Sequence, residues 1–158
     1  PSHVPLPFLR HLSSALFPCR GPGIVNHQRM TDVRAAKVAG IADDIPLQEV
    51  EYGEDRGRLV LVGWGSTHGP IDEAVRLARK NGRDVAHVHL RYLNPMPRNL
   101  GDLLRGFDKV LVPEMNTGQL IKMLRAEYLV PAKGLNKVTG QPFKVSEIVA
   151  AIDVELEN

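Results

Sequence analysis

A chain of 158 residues with 43% hydrophobic and 24% charged residues can bury one sizeable core, with no need of metals or disulfides to stay folded. A net charge of +2 and the lack of a dense Lys/Arg run remove the usual electrostatic grounds for a nucleic-acid partner; no apolar stretch reaches the ~20 residues of a membrane span. Cys19 stands alone, which excludes an internal disulfide and the several thiolates of an iron–sulfur cluster and fits a reducing, cytoplasmic setting.

The chain opens on Pro1 rather than Met and so reads as processed, trimmed or part of something longer. Pro1, Pro5, Pro7, Pro18 and Pro22 interrupt any long helix or central strand, making residues 1–25 an irregular arm. Its apolar Phe8, Leu9, Leu12, Leu16 and Phe17 suit a linker or docking arm better than a targeting peptide, given those prolines. Over residues 26–45, Met30, Val33, Val38 and Ile41 recur at helical spacing around Ala35 and Ala36, which predicts a linker helix ending near Gly40. Residues 43–57 form a polar connector in which 47–50 reads as a short edge strand. The boundary of the main domain, 46–158, is placed at about residue 45.

Beyond the connector, apolar strands alternate with amphipathic helices. Strand 59–62 leads through Gly63-Trp64-Gly65-Ser66-Thr67 into a helix over 70–80 that buries Ile71, Ala74, Val75 and Ala78, with Pro70 in its first turn and Asn81-Gly82 at its end. Strand 84–90 is followed by the loop 91–97 and a helix over 98–106 buried through Leu100, Leu103 and Leu104. Strand 109–113 and the turn 114–118 open a helix with Leu120, Ile121, Met123, Leu124 and Tyr128 inward. A weaker fourth strand near 135–138 precedes a last helix capped by Ser146, with Ile148, Val149 and Ile152 on one side. The strands open near Leu59, Asp84, Lys109 and Gly134, an even spacing of roughly 25 residues. This pattern predicts a three-layer α/β/α fold on a mostly parallel sheet of four or five strands, with ligands or partners at the carboxyl ends of the strands.

Those ends hold the residues of interest. Gly63, Gly65 and Gly69 invite a dinucleotide reading, but the third glycine falls one place late and strand 84–90 ends in His89-Leu90-Arg91, without an acid for a ribose hydroxyl. An anion on the amides of Ser66 and Thr67 stays open beside a plain capped turn. His87 and His89 share one face of their strand; with no third ligand at a recognisable spacing, satisfied core histidines are the better reading than a metal pair. His68 lacks an orienting carboxylate in the sequence around Ser66. Glu114 could be a general base, the electrostatic partner of a helix start or an interface residue, and the interface is favoured. Arg91, Tyr92 and Asn94 are the residue types that anchor partner proteins, while Asn94-Pro95 also shapes the turn. Lys137 reads by default as a solvated lysine. The candidate docking surface is therefore Trp64, Arg91, Tyr92, Asn94, Glu114, Asn116 and Gln119, with no complete catalytic or metal-ligating set.

The runs GWGSTHGPIDEAV (63–75), HVHLRYLNPMPRNLGDLL (87–104), KVLVPEMNTGQLIKMLRAEYLV (109–130) and NKVTGQPF (136–143) resemble the C-terminal part of the alpha subunits of 2-oxoglutarate:ferredoxin oxidoreductases, within the 2-oxoacid:acceptor oxidoreductase family. The resemblance covers residues 45–153, and the preceding helix is similar to the connector that leads into this domain. It implies a transketolase-C-terminal-like domain. The partners it implies are a beta subunit, the remaining alpha-subunit domains and ferredoxin. The enzyme so implied oxidatively decarboxylates 2-oxoglutarate with CoA, using thiamine diphosphate, Mg²⁺ and an iron–sulfur cluster held elsewhere. On this reading the chain binds none of these cofactors alone and supports assembly. The residues leave open the same domain of a pyruvate or branched-chain 2-oxoacid enzyme, and an independent anion- or nucleotide-binding module.

Overall fold

The computed structural model describes residues 24–157, so the expected arm, with Cys19, lies outside the described residues. The chain divides into two units between Ala39 and Gly40. The first carries helix α1 (Ile24–Gly40), where the spacing of Met30, Val33 and Val38 predicts one. The second begins with a 3-10 turn at Ile41–Asp43, whose Asp43 pairs with Arg98, and with the buried Ile45.

The second unit runs β1 (Gly57–Trp64), α2 (His68–Lys80), β2 (Val85–Leu90), α3 (Leu100–Arg105), β3 (Phe107–Glu114), α4 (Gln119–Tyr128), β4 (Ala132–Asn136), α5 (Val145–Glu157). The strands form one four-stranded sheet, all parallel, in the order β2-β1-β3-β4. Leu59 through Val62 are wholly buried because β1 is central and covered on both faces, which is why its sequence is a continuous apolar run rather than an alternation. On one face Val60, Val62, Ala86, Val88, Val110 and Val112 pack with Leu100 and Leu104 of α3 and Leu120 and Leu124 of α4. On the other, Leu59, Leu61, Val85 and Leu111 pack with Ile71 and Val75 of α2 and Ile148 and Ile152 of α5. Each of these larger side chains contributes about 1.5–3 kcal/mol by leaving water.

Several boundaries differ from expectation, each for a packing reason. β1 continues through Gly63 and Trp64, which pair with His89 and Leu90. Gly63 acts by close approach rather than by turning the chain: a Cβ there would come within 2.5 Å of the Ile71 Cδ1. β4 lies at Ala132–Asn136, where it matches Val110–Glu114 of β3; Val138, the apolar cue for a later strand, is exposed. Residues 47–50 form no strand. Their neighbour Tyr52 instead makes a single antiparallel bridge with His87. Met123 is exposed on α4, and Ser146 lies inside the first turn of α5 while the Glu147 carboxylate accepts from the Lys144 N–H at 2.8 Å. No described helix is long and apolar enough to cross a membrane.

Candidate functional site

The sheet order makes β1 and β3 neighbours although β2 lies between them in sequence, with α2 and α5 on one face and α3 and α4 on the other. The order in which strands are added across the sheet therefore reverses between β1 and β3, and the crevice beyond their carboxyl ends is where such sheets place their sites. After Trp64 the backbone turns at Gly65, whose φ of 59° lies in the left-handed region. The Thr67 hydroxyl accepts from the Trp64 N–H at 3.1 Å and donates to the Trp64 carbonyl at 2.9 Å, which closes the turn before α2 begins.

At the end of β3, Glu114 is fully buried. Its Oε1 accepts from the Leu120 N–H at 2.8 Å, the Asn116 Nδ2 at 3.1 Å and, more loosely, the Trp64 Nε1 at 3.4 Å; its Oε2 accepts from the Ile121 N–H at 3.1 Å. Asn116 in turn accepts through Oδ1 from the Gly118 and Gln119 N–H groups. These bonds take up donors that the first turn of α4 would otherwise leave orphaned, at the positive end of the helix. The favoured reading of Glu114 as an interface contact is thus corrected. The side chain has no surface to offer a partner, and it acts as the internal anchor of a helix start.

Above this anchor lies a cleft of about 310 Å³ lined by Trp64, Gly65, Ser66, Thr67, Met115, Asn116 and Gln119. Five of the expected residues, Trp64, Ser66, Thr67, Asn116 and Gln119, meet here, and none of the lining side chains is ionisable. Arg91 and Tyr92 are elsewhere, in a second cleft of about 340 Å³ shared with Pro46–Glu51 residues, His89 and Pro97. They follow β2, on the far side of β1 from β3. Tyr92 is 45% exposed, Asn94 is exposed, and the Asn94–Pro95 peptide is cis.

The histidines depart most from expectation. His87 and His89 are buried, but both ring nitrogens of His87 and the Nδ1 of His89 have no hydrogen-bond partner, so His87 is not a satisfied core histidine, while His89 keeps a hydrogen bond with the Gly65 backbone. His68 packs against both, tilted to the His87 ring at a centroid distance of 5.4 Å and edge-to-face with the His89 ring at 4.7 Å. It also has the carboxylate that the surrounding sequence lacks: Glu51 Oε2 lies 2.7 Å from His68 Nε2. Burial pushes His87 down to about 4 and also lowers His89, where the neighbouring His68 adds to the effect. Burial alone would raise Glu51, but the hydrogen bond and charge of His68 hold it below the usual carboxylate value. Among the described residues no three His, Cys, Asp or Glu side chains are arranged to hold a metal ion. Lys137 is not simply solvated either: its Nζ lies 2.8 Å from Glu147 and 3.1 Å from the Pro142 carbonyl.

A parallel sheet covered by helices on both faces, with a crevice at its switch point, makes this an α/β domain, and a split-gene transketolase structure shares the fold (TM-score 0.51, 21% identity, over 69% of this chain and 44% of that one). A family model described as pyruvate:ferredoxin oxidoreductase core domain II matches residues 58–148, and the chain belongs to that family. It is 46% identical over 147 residues to 2-oxoglutarate oxidoreductase subunit KorA of Mycobacterium tuberculosis, covering 90% of this chain and 22% of the relative. It is 34% identical over 129 residues to the alpha subunit of 2-oxoacid:ferredoxin oxidoreductase 2 of Aeropyrum pernix, covering 78% of this chain and 20% of that protein. The structure of 2-oxoglutarate:ferredoxin oxidoreductase from Magnetococcus marinus with 2-oxoglutarate, coenzyme A and succinyl-CoA bound matches with a TM-score of 0.78 at 30% identity, over 88% of this chain and 24% of that chain. The chain thus spans about a fifth to a quarter of the length of these oxidoreductase proteins.

The side chains present do not fit the cofactors that the resemblance implies. An iron–sulfur cluster takes several thiolates and the chain has one cysteine. A Mg²⁺-bound diphosphate takes oxygen ligands and cations, yet the lining of the β1–β3 cleft carries no charge and the carboxylate beneath it is committed to main-chain donors.

Proposed function

We propose that this chain is the transketolase-C-terminal-like domain of the alpha subunit of a cytoplasmic 2-oxoglutarate:ferredoxin oxidoreductase, and that it serves assembly rather than chemistry. The enzyme oxidatively decarboxylates 2-oxoglutarate with CoA to succinyl-CoA and passes electrons to ferredoxin. Thiamine diphosphate, Mg²⁺ and the iron–sulfur cluster are held by the beta subunit and the other alpha-subunit domains. The identity to a 2-oxoglutarate oxidoreductase subunit supports the substrate. The observation that carries the assembly role is the fate of Glu114: it is buried and bonded to the start of α4, so the lining of the β1–β3 cleft above it carries no charged side chain. Trp64, Met115, Asn116 and Gln119 form one side of the rim at these strand ends, and Arg91, Tyr92 and Asn94 the other. Aromatic and Arg side chains on a rigid support are the usual anchors of protein interfaces.

A second reading, the same domain in a pyruvate enzyme, is favoured by the description of the family model itself; assays of the complete enzyme with each 2-oxoacid decide between them. The assembly role is tested by mixing this chain with the beta subunit and the remaining alpha-subunit domains. Association should weaken at least tenfold with Tyr92→Ala, and the chain alone should reduce no acceptor when given 2-oxoglutarate and CoA. Unchanged association, or turnover by the isolated chain, overturns the proposal.

A further inference from the structure

The outer edge of β2 is closed by a segment, residues 46–54, that belongs to no strand. The Glu51 N–H donates to the His87 carbonyl and the His87 N–H donates to the Tyr52 carbonyl, both at 2.8 Å. Gln48 Nε2 reaches the His89 carbonyl at 3.1 Å, and Gln48 exchanges two hydrogen bonds with the Asn99 side chain. Gly53 (φ 113°) lets the segment lie so close that a Cβ there would sit 2.8 Å from the Ala86 Cβ. The residues gripped by this segment through their backbones are the two whose imidazoles are buried with unpartnered nitrogens.

Buried polar groups are nearly always paired, so three orphaned ring nitrogens in one cluster call for a reason. We propose that His68, His87 and His89 form an acid-operated latch: the cluster with His87 and His89 neutral holds residues 46–54 on the edge of β2, and protonation of those two buried rings releases the segment and opens the cleft it shares with Arg91 and Tyr92.

The surrounding charges set how many protons the closed latch tolerates. The segment contributes Glu51, Tyr52 and Glu54; α2 contributes His68, Asp72, Arg76 and Arg79; Arg91 follows β2. Glu51 is already paired with His68 at 2.7 Å. Asp72 is bonded to Arg76 at 2.8 Å and stands 3.9 Å from His87 Nδ1. Arg76 lies over the Tyr52 ring at 4.1 Å, Arg79 is 3.8 Å from Glu54, and Arg91 is 3.9 Å from Glu51. Burial first, and then the neighbouring imidazoles and, for His89, Arg91, oppose protons on His87 and His89 and outweigh the pull of Glu51 on both and of Asp72 on His87, which is why both resist protonation while the segment is closed. Opening removes that burial, so falling pH favours the open form.

Hydrogen exchange of the 158-residue chain tests this through protection factors corrected for intrinsic rates. If an opened His87 titrates near its ordinary 6.5 and the closed one near 4, protection of the Glu51 and His87 amides falls about tenfold between pH 7.5 and 5.5. The Val60 and Val110 amides in the central strands keep theirs. His87→Leu, or His89→Leu should the first variant fold poorly, reduces that pH dependence while both main-chain bonds to the segment remain. Constant protection at Glu51 and His87, an equal loss at Val60 and Val110, or the same pH dependence in both variants overturns the latch.

Discussion

Replacing Glu114 with Ala removes the acceptor for two main-chain donors of α4, Leu120 at 2.8 Å and Ile121 at 3.1 Å, and for the Asn116 side chain. The Leu120 and Ile121 donors are buried, so water does not readily replace the carboxylate, and each stranded amide costs about 1–3 kcal/mol. Together these donors predict a loss of about 4 kcal/mol for Glu114→Ala. At roughly 2–4 °C per kcal/mol for a chain of this size, the Tm should fall by about 8–16 °C. Glu114→Gln keeps one acceptor but turns an amide NH₂ towards the other donors, and should lose about 2 kcal/mol. Urea titration with both variants gives the free energies directly, and thermal melts followed by circular dichroism give the order. A Glu114→Ala variant within about 1 kcal/mol of the parent would refute the assignment of Glu114 as the anchor of α4, since unpaired buried amides do not come at so small a cost.

Other consequences follow from the same geometry. The value of about 4 for folded His87 lies below the 6.5 of an unperturbed histidine. The unfolded chain therefore takes up the proton first, and stability is complete above pH 6.5 and declines towards pH 4, by about 3 kcal/mol in all; urea titrations across that range should show the slope, and His87→Leu should flatten it. Gly53→Ala, at φ 113° and against Ala86, should lose about 2 kcal/mol in the same assay. Leu129, exposed and at φ 55°, should gain about 0.5–1 kcal/mol when changed to Gly, because the left-handed strain exceeds the entropy that glycine adds to the unfolded chain. Tyr92→Ala, on an exposed residue, should leave the melting curve within about 0.5 kcal/mol of the parent while weakening association.

What could be read from the sequence was what local pattern determines. The apolar run Leu59–Val62 announced a strand covered on both faces, and the stripe Ile71, Ala74, Val75 and Ala78 announced the helix above it, because burial of one element dictates each pattern. β4 lies earlier than the sequence predicts because it is a short edge strand whose position is fixed by register with Val110–Glu114 rather than by its own hydrophobicity. The site was legible in composition and not in grouping. Trp64, Ser66, Thr67, Asn116 and Gln119 share a cleft because β1 and β3 are neighbours, an order that chain sequence alone does not give. Glu114 was visible as an acid at a strand end, but that α4 folds back over it depends on Gly118 turning at φ 86°. The Glu51–His68 pair joins an irregular segment to the start of α2 across 17 residues, with no local spacing to betray it.

The central claim is that the rim at the carboxyl ends of β1, β2 and β3 is the face through which this domain joins the rest of an oxidoreductase. Hydroxyl-radical footprinting of the chain, free and within the complete alpha–beta complex, tests this most directly, because Trp64, Tyr92 and Met115 are among the most oxidisable side chains of that rim. Assembly should lower their modification rates several-fold while leaving Leu103 and Phe107, at the opposite end of the sheet, unchanged. Protection confined to the Leu103–Phe107 end, or equal rates at Trp64, Tyr92 and Met115 in the free and assembled states, would contradict it.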